Sequence, residues 1–410
     1  LRFLQQVHSK NFINLSLNQG VNVLVALVAT PHLYQTLGED QFGIVNLSLS
    51  IIMLFAILVN YGFHLNGPKR LALLHNDLVK KQNLINEILT TRLGMAGLLF
   101  LLILVLVKVF GLFHEQNTIL LFSTIILLNE AVFPMFVLQG LDRISWVAYA
   151  NFATKVIYLL AILIFIDNPQ SAKWVNFFFG GCALLVNGIM LWLLYKSEQI
   201  RYRLPSLSIL YTRLEENFHF FLSTIAGHIS IHGGVVILSN FITDIQLGQY
   251  ALAQRVAFLL RLVPTFIIQS ILQHATRLYE SDKKAYHKYL NNGFKWSLII
   301  TLVLGVVFSS SAPYVIRVIG GEYVELSSNL LRVMSFIPFA SALNVKNMII
   351  ILAAEKKQVL AKATWLAAVF MITAAILGSY FYGAMGLAVA LLLTEIVNFA
   401  AHYLMIKFSK

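Results

Sequence analysis

The chain has 410 residues, of which 58% are hydrophobic and 12% charged, with a mean hydropathy of +0.76. A soluble domain carries about 25% charged residues, so a water-soluble enzyme is excluded at the outset. One cysteine, Cys182, excludes a disulfide framework and a thiolate metal site by count. The net charge of +12 would point to nucleic acid in a soluble protein. In a membrane protein it points first to basic cytoplasmic loops, and no nucleic-acid partner is expected.

A helical span with its connection takes about 30–35 residues, which gives about twelve spans. Hydropathy places them near 11–37, 43–65, 91–111, 118–139, 144–166, 173–196, 216–240, 247–272, 293–315, 325–353, 358–380 and 384–407. The first span is too long for a cleavable signal, carries asparagines and lacks a small-residue cleavage site. Putting both termini in the cytoplasm leaves three of the 30 Lys and Arg on the opposite side (Lys108, Lys173 and Arg317) and five inside spans. The remaining 22, Arg92 among them, fall in cytoplasmic segments, as the positive-inside rule demands. The expected topology is therefore that of a multi-pass membrane protein with both termini cytoplasmic. Trp146, Trp192 and Trp296 fall at cytoplasmic span ends and Trp174 at an external one, as interfacial anchors do.

The chain resembles itself at an offset of about half its length. Leu37-Gly38-Glu39-Asp40-Gln41-Phe42-Gly43 leaves the first span and Ile242-Thr243-Asp244-Ile245-Gln246-Leu247-Gly248 leaves the seventh; both place an acid before Gln-x-Gly. Basic stretches follow the second and eighth spans, Arg70 through Lys81 and Arg277 through Lys284. Six spans per half is an even number, so the halves insert in the same orientation, related by an axis along the membrane normal. The expected fold is an all-α integral membrane protein. Its bundles, 1–197 and 216–410, are joined by a cytoplasmic linker at 198–215 and surround a central cavity.

Five cations lie inside the predicted spans: Lys155, Arg255, Arg261, Arg332 and Lys346. Facing lipid they would together cost about 12–18 kcal/mol, so they must line a wet cavity or pair internally. Only Glu130 and Glu395 lie as deep, leaving an excess of positive charge. At 100° per residue, Gln254, Arg261, Thr265 and Gln269 fall within about 80° of one another beside Pro264, with Arg255 at the stripe's edge. Asn11, Asn14, Asn18 and Asn22 share a face of the first span, which either lines the cavity or glues helices. Glu130 and Lys155 sit at similar depth on neighbouring spans, as a structural ion pair or as transport residues. His228 and His232 have i,i+4 spacing without an evident third ligand, so helix packing or proton sensing outranks metal binding. Arg332 either lines the cavity or snorkels to the external surface. Glu395 shares a face with Asn398 and His402 and is either a coupling residue or a satisfied interior acid. The expected substrate-binding set is Arg261, Arg255, Lys155, Gln254, Gln269, Asn18, Asn22, Arg332 and Lys346. The expected coupling candidates are Glu395, Glu130, His228 and His232. Neither a catalytic residue, a metal nor a cofactor is expected.

Four motifs carry a family resemblance: Gly38-x-x-x-Phe42-Gly43 after a span with Asn18-Gln19-Gly20 and Pro31; Gln139-Gly140-Leu141-Asp142-Arg143; Asp244-x-x-x-Gly248-x-Tyr250 with Arg255; and Tyr382-Gly383-Ala384-Met385-Gly386-Leu387-Ala388 with Glu395 beyond. In order and spacing they resemble the multidrug/oligosaccharidyl-lipid/polysaccharide exporter superfamily, and within it the Wzx-type O-antigen or polysaccharide flippases. The resemblance implies a V-shaped pair of six-helix bundles with a cationic cavity. It further implies translocation of an undecaprenyl-diphosphate-linked oligosaccharide from the cytoplasmic to the periplasmic leaflet by alternating access. Moving negative charge outward is downhill by about 2.3 kcal/mol per charge per 100 mV, and H⁺ or Na⁺ coupling could add to it. Membrane lipids, a polysaccharide polymerase and chain-length proteins are the implied partners. The alternative is a cation-coupled multidrug exporter of the same superfamily, which would prefer an acidic cavity. A membrane enzyme would need a large external loop, a phosphate-binding motif or clustered carboxylates, and none is evident.

Overall fold

The computed structural model describes residues 9–74, 77–111 and 117–408; the side chains of 9–19, 273 and 357 lie outside that description. All the regular structure it describes is helical. Ten stretches are long and apolar enough to cross a bilayer, the first at 54 residues and the last at 51. A continuous helix of that length would run about 75–80 Å, against about 30 Å of hydrocarbon.

Both long stretches are broken at a glycine. Helix α1 (Ser9–Asn60) loses helical geometry at Gly38 (φ 79°, ψ 168°), and the last helix, Lys357–Phe408, loses it at Gly383 (φ 55°, ψ −134°). A Cβ on Gly386 would lie 1.9 Å from the carbonyl oxygen of Gly378, a contact that eight residues of straight helix would hold about 12 Å apart. The chain therefore doubles back at Gly383, where only glycine adopts the backbone without strain. Divided at their two glycines, the ten stretches give twelve passages.

The helices form two compact units. The N-terminal unit comprises 13–37 and 44–228. It contains most of α1, α2 (Phe63–Leu73), α3 (Leu78–Lys108) and three short helices that share one passage: α4 (Asn117–Ser123), α5 (Ile125–Val132) and α6 (Met135–Gly140). It continues with α7 (Ile144–Phe165), α8 (Ala172–Ser197) and α9 (Leu207–His228). Its core sets Phe63 and Leu71 of α2 and Ile85 and Ile88 of α3 against Phe136, Leu138 and Leu194. Gly140 sits under Leu71 and Gly67 under Phe136, so the glycine of the Gln139-Gly140 motif serves close approach of α2 and α6.

The expected division at 197 and 216 gives way to one at His228, because α9 packs on α2 and α3. Arg213 on α9 reaches Glu87 on α3 and Glu216 at 2.7 Å, and Arg70 on α2 also pairs with Glu216. Arg143, in the fourth connection, holds Glu198 at 2.6 Å, and Lys81 joins it at 3.6 Å. Arg70, Lys81, Arg143 and Arg213, which flank the N-terminal spans, are thus ion-paired.

The C-terminal unit comprises 229–408 together with 38–43. It opens with a π-turn (Ile229–Gly233), followed by α10 (Gly234–Leu238), α11 (Asp244–Ser281), α12 (Lys283–Ser310) and α13 (Ala312–Gly320). A second broken passage follows, α14 (Glu325–Met334), α15 (Ile337–Ala342) and α16 (Val345–Ala353), before α17 (Lys357–Phe408). Thr243 caps α11 in a full capping box with Gln246, and Asp282 caps α12. The core here joins Ile271, Ala275, Tyr286, Leu290, Val345 and Ile349.

Segment 38–43 belongs to this unit because its glycine meets the repeat copy of itself. A Cβ on Gly43 would lie 2.4 Å from the Asp244 carbonyl oxygen, and one on Gly248 would lie 1.9 Å from the Glu39 carbonyl oxygen. An offset of 205 carries Glu39 onto Asp244 and Gly43 onto Gly248, so the contact is reciprocal. The duplication read from the sequence is a local two-fold packing of backbone on backbone. Gln249 Nε2 donates to Glu39 Oε2 at 2.7 Å beside it.

Gly248→Ala is expected to lower the melting temperature of the purified protein in lipid or detergent, by an overpacking penalty of about 1–3 kcal/mol. Gly94→Ala, in α3 with nothing within 4 Å, is expected to leave it unchanged or raise it. Equal melting of the two variants would show that the glycine contact is not tight.

Candidate functional site

The interior cations follow from the hydropathy arithmetic, and the structure gives each a partner. In the C-terminal unit, Arg261 of α11 pairs with Glu395 of α17, whose side chain is 8% exposed. The pair gives the interior Glu395 carboxylate a counter-charge. Arg261 is thus paired with an acid, while its side chain remains about a third exposed (33%). Along the rest of the stripe, Gln254 lies 3.5 Å from the Tyr250 hydroxyl, while Thr265 and Gln269 are exposed. Arg255 stacks over the Phe42 ring at 4.8 Å, beside the reciprocal glycines. Lys346 on α16 donates to Asn291 Oδ1 at 2.7 Å. Arg332 is exposed on α14 and donates to Asn329 at 3.2 Å.

Next to the Arg261–Glu395 pair, His402 is 1% exposed and Asn344 4%. The two ring-to-amide groups lie 3.1 Å apart, and His402 Nδ1 donates to the Asn398 carbonyl at 2.8 Å. Among the described residues, Asn344 Oδ1, Asn398 Oδ1 and His402 Nε2 make no hydrogen bond. Buried atoms of this kind are ordinarily satisfied by ordered water.

In the N-terminal unit Lys155 and Glu130 do not form the ion pair that was one of their two readings. Lys155 on α7 lies over the Phe179 ring of α8 at 4.9 Å, a cation–π contact. Glu130 on α5 instead accepts from Asn60 Nδ2 at 2.6 Å and lies 3.6 Å from Arg92. Arg92 is 3% exposed and also donates to the carbonyls of Glu130 and Phe133. Its guanidinium therefore satisfies the backbone freed where α5 stops before Pro134. The sequence reading put Arg92 in a flanking segment because hydropathy begins the third span at 91. The helix begins at Leu78, which carries Arg92 well inside.

His64 completes this cluster. Its Nδ1 contacts Asn60 Oδ1 at 2.7 Å, and its backbone N–H reaches the same oxygen at 3.3 Å. His228 lies within electrostatic reach of Glu130 and His64. Neither His64 nor Asn60 emerges from hydropathy, since single polar residues in an apolar run look alike until their neighbours are known. Between His228 and His232 the helix makes a π-turn at 229–233 in place of a regular α-turn. Among the described residues no group of three or more His, Cys, Asp or Glu could hold a metal ion. Asn22 is half-buried and engages a neighbour; the side chain of Asn18 lies outside the described residues.

A twelve-passage, internally duplicated chain with charged side chains at mid-depth is built for transport, and comparison with known proteins agrees. A family model described as a polysaccharide biosynthesis protein matches residues 9–276. The chain belongs to this family. Its members include membrane transporters related to the O-antigen transporters. A candidate O-antigen transporter of Shigella dysenteriae is 23% identical over 401 residues, which is 95% of this chain and 97% of the relative. In fold, the chain is similar to a lipid II flippase MurJ in an inward closed conformation, with a TM-score of 0.75 at 12% identity over 95% of this chain and 87% of that one. It is also similar to an inward-facing multidrug resistance transporter of the MATE family, with a TM-score of 0.73 at 13% identity over 94% of each chain.

Arg261→Ala would leave the buried Glu395 carboxylate unpaired and is expected to destabilise the protein by about 2–4 kcal/mol. Combining it with Glu395→Gln is expected to recover much of that loss. Melting curves of the single and double variants measure the coupling; purely additive losses would show that the two side chains do not interact.

Proposed function

We propose that the chain is a flippase that moves an undecaprenyl-diphosphate-linked oligosaccharide from the inner to the outer leaflet of the bacterial cytoplasmic membrane. It works by alternating access, with both termini cytoplasmic. The observation that carries the reading is interior cations held by neutral groups within a polysaccharide-biosynthesis family. Lys155 lies over an aromatic ring, and Lys346 donates to an amide oxygen. Among the described residues neither lysine has an acid at ion-pair distance, and an anionic headgroup would supply the counter-charge. The polyprenyl tail stays in lipid while the diphosphate and its sugars cross, so no bond is made or broken. The membrane potential, negative inside, favours the outward passage of the negative headgroup. The drug-exporter reading asks for interior carboxylates open to a cationic ligand. Here Glu395 is bound to Arg261, and Glu130 to Asn60 and Arg92.

Deleting the gene in its own strain is expected to abolish long-chain surface polysaccharide and to leave lipid-linked oligosaccharide in the inner leaflet. Complementation with Lys155→Ala, at matched membrane level, is expected to restore about a tenth or less of the polysaccharide, the loss of one charge contact. Lys155→Arg should restore most of it. Normal surface polysaccharide in the deletion strain, together with new drug sensitivity, would replace this reading by the drug-exporter one.

A further inference from the structure

The cytoplasmic end of α12 carries a row of cations. At 100° per residue Lys284, Lys288, Asn291 and Lys295 fall within about 60° of one another, and all four are exposed. The buried residues Tyr286, Leu290, Ser297 and Thr301 lie on the other side of the helix. Another lysine reaches the row from α16. Lys346, inside the predicted tenth span, extends its stem so that Nζ donates to Asn291 Oδ1 at 2.7 Å. Lys288 and Lys295 stand one helical turn to either side of Asn291, about 5–6 Å away between Cβ atoms. Three ammonium groups therefore gather around one amide.

Among the described residues, none of Lys288, Lys295 and Lys346 has a carboxylate at ion-pair distance. Asp282, which caps the helix, is turned to the backbone N–H groups of Lys284 and Ala285. Since Asn291 Oδ1 accepts from Lys346, the amide is left with the two N–H groups of Nδ2 to donate. The cluster thus offers donors and positive charges alone, a set that fits an anionic oxygen. Beyond Lys295 the same row turns apolar: Ile299, Leu302 and Val306 are 40%, 43% and 52% exposed. Trp296, itself exposed, marks the membrane boundary between the basic and the apolar half. Asn291 lies about 7 Å to the cytoplasmic side of Trp296 along the helix, comparable with a headgroup layer of about 5–7 Å.

We propose that this row is a binding site for an anionic phospholipid of the cytoplasmic leaflet. The lipid phosphate accepts from Asn291 Nδ2 and from the ammonium groups of Lys288, Lys295 and Lys346, and the acyl chains lie along Ile299, Leu302 and Val306. A headgroup with a phosphate and no cation answers the positive charges, whereas a zwitterionic one brings an ammonium of its own among them. The face is exposed, and bulk phospholipid outnumbers any transported lipid in the bilayer, so mass action fills the site with phospholipid. The bound headgroup ties α12 to α16 at their cytoplasmic ends. Lys346 thereby takes its counter-charge from the bilayer and Lys155 is left to the cargo. The site stands independently of the transport reading, which is tested on Lys155.

The test places the full protein in phosphatidylethanolamine vesicles and follows quenching of Trp296 by lipids with brominated acyl chains. Subtracting the quenching seen in Trp296→Phe isolates the signal beside Lys295. Brominated phosphatidylglycerol is expected to half-quench Trp296 at a mole fraction about tenfold below that needed with brominated phosphatidylethanolamine. Lys346→Gln and Lys288→Gln are each expected to raise that mole fraction about fivefold, the worth of one lysine at an anionic membrane surface. Lys283→Gln removes the same charge at a position off the row and should leave it unchanged. Equal quenching by the two lipids would overturn the proposal. Equal weakening by Lys283→Gln and Lys346→Gln would do so too, by reducing the cluster to general surface charge. Relief of the quenching by about a tenth as much undecaprenyl diphosphate would likewise overturn it, because the row would then belong to the cargo.

Discussion

A charge at the middle of a bilayer must find its counter-group inside the protein, because hydrocarbon offers none. In this chain the solutions differ by position, and the differences organise the molecule. Arg261 takes an acid, Glu395. Arg92 takes an acid together with two backbone carbonyls. Lys155 and Arg255 take aromatic faces, and Lys346 takes an amide. Acid-paired cations are fixed parts of the scaffold.

The same constraint explains where helices break. A helix that stops inside the membrane exposes backbone groups, and each break here has a local answer. Arg92 covers the carbonyls released ahead of Pro134, and the Asn60 side chain meets the N–H released at the start of α2. Both answers converge on Glu130. One carboxylate therefore stands between two interrupted passages. A continuous helix would hold its backbone regardless of a neighbouring side chain's charge.

Close backbone packing is the other recurring device. Gly43 against Asp244, Gly248 against Glu39, and Gly386 against Gly378 are approaches that a methyl group would forbid. Two of the three motifs containing these glycines are copies of one another, and the copies meet face to face. A duplicated sequence placing the same small residue at the same turn gives both partners of such a contact at once.

The sequence by itself determined the membrane class, the number of passages and the internal repeat. Hydropathy and the positions of Lys and Arg act locally along the chain, through the transfer of each segment into lipid. It also picked out most of the charged side chains at mid-depth. Tertiary structure decided their partners: Glu130 with Arg92 and Asn60 rather than Lys155, and Glu395 with Arg261. Which helices abut and how they rotate is set by the packing of whole faces, and a helical wheel loses its phase at each break. Tyr61–Gly62, the ends of α5 and the π-turn after His228 all shift that phase. For the same reason His64 and Asn60 were invisible in the sequence, where nothing brings residue 60 of one passage to residue 130 of another.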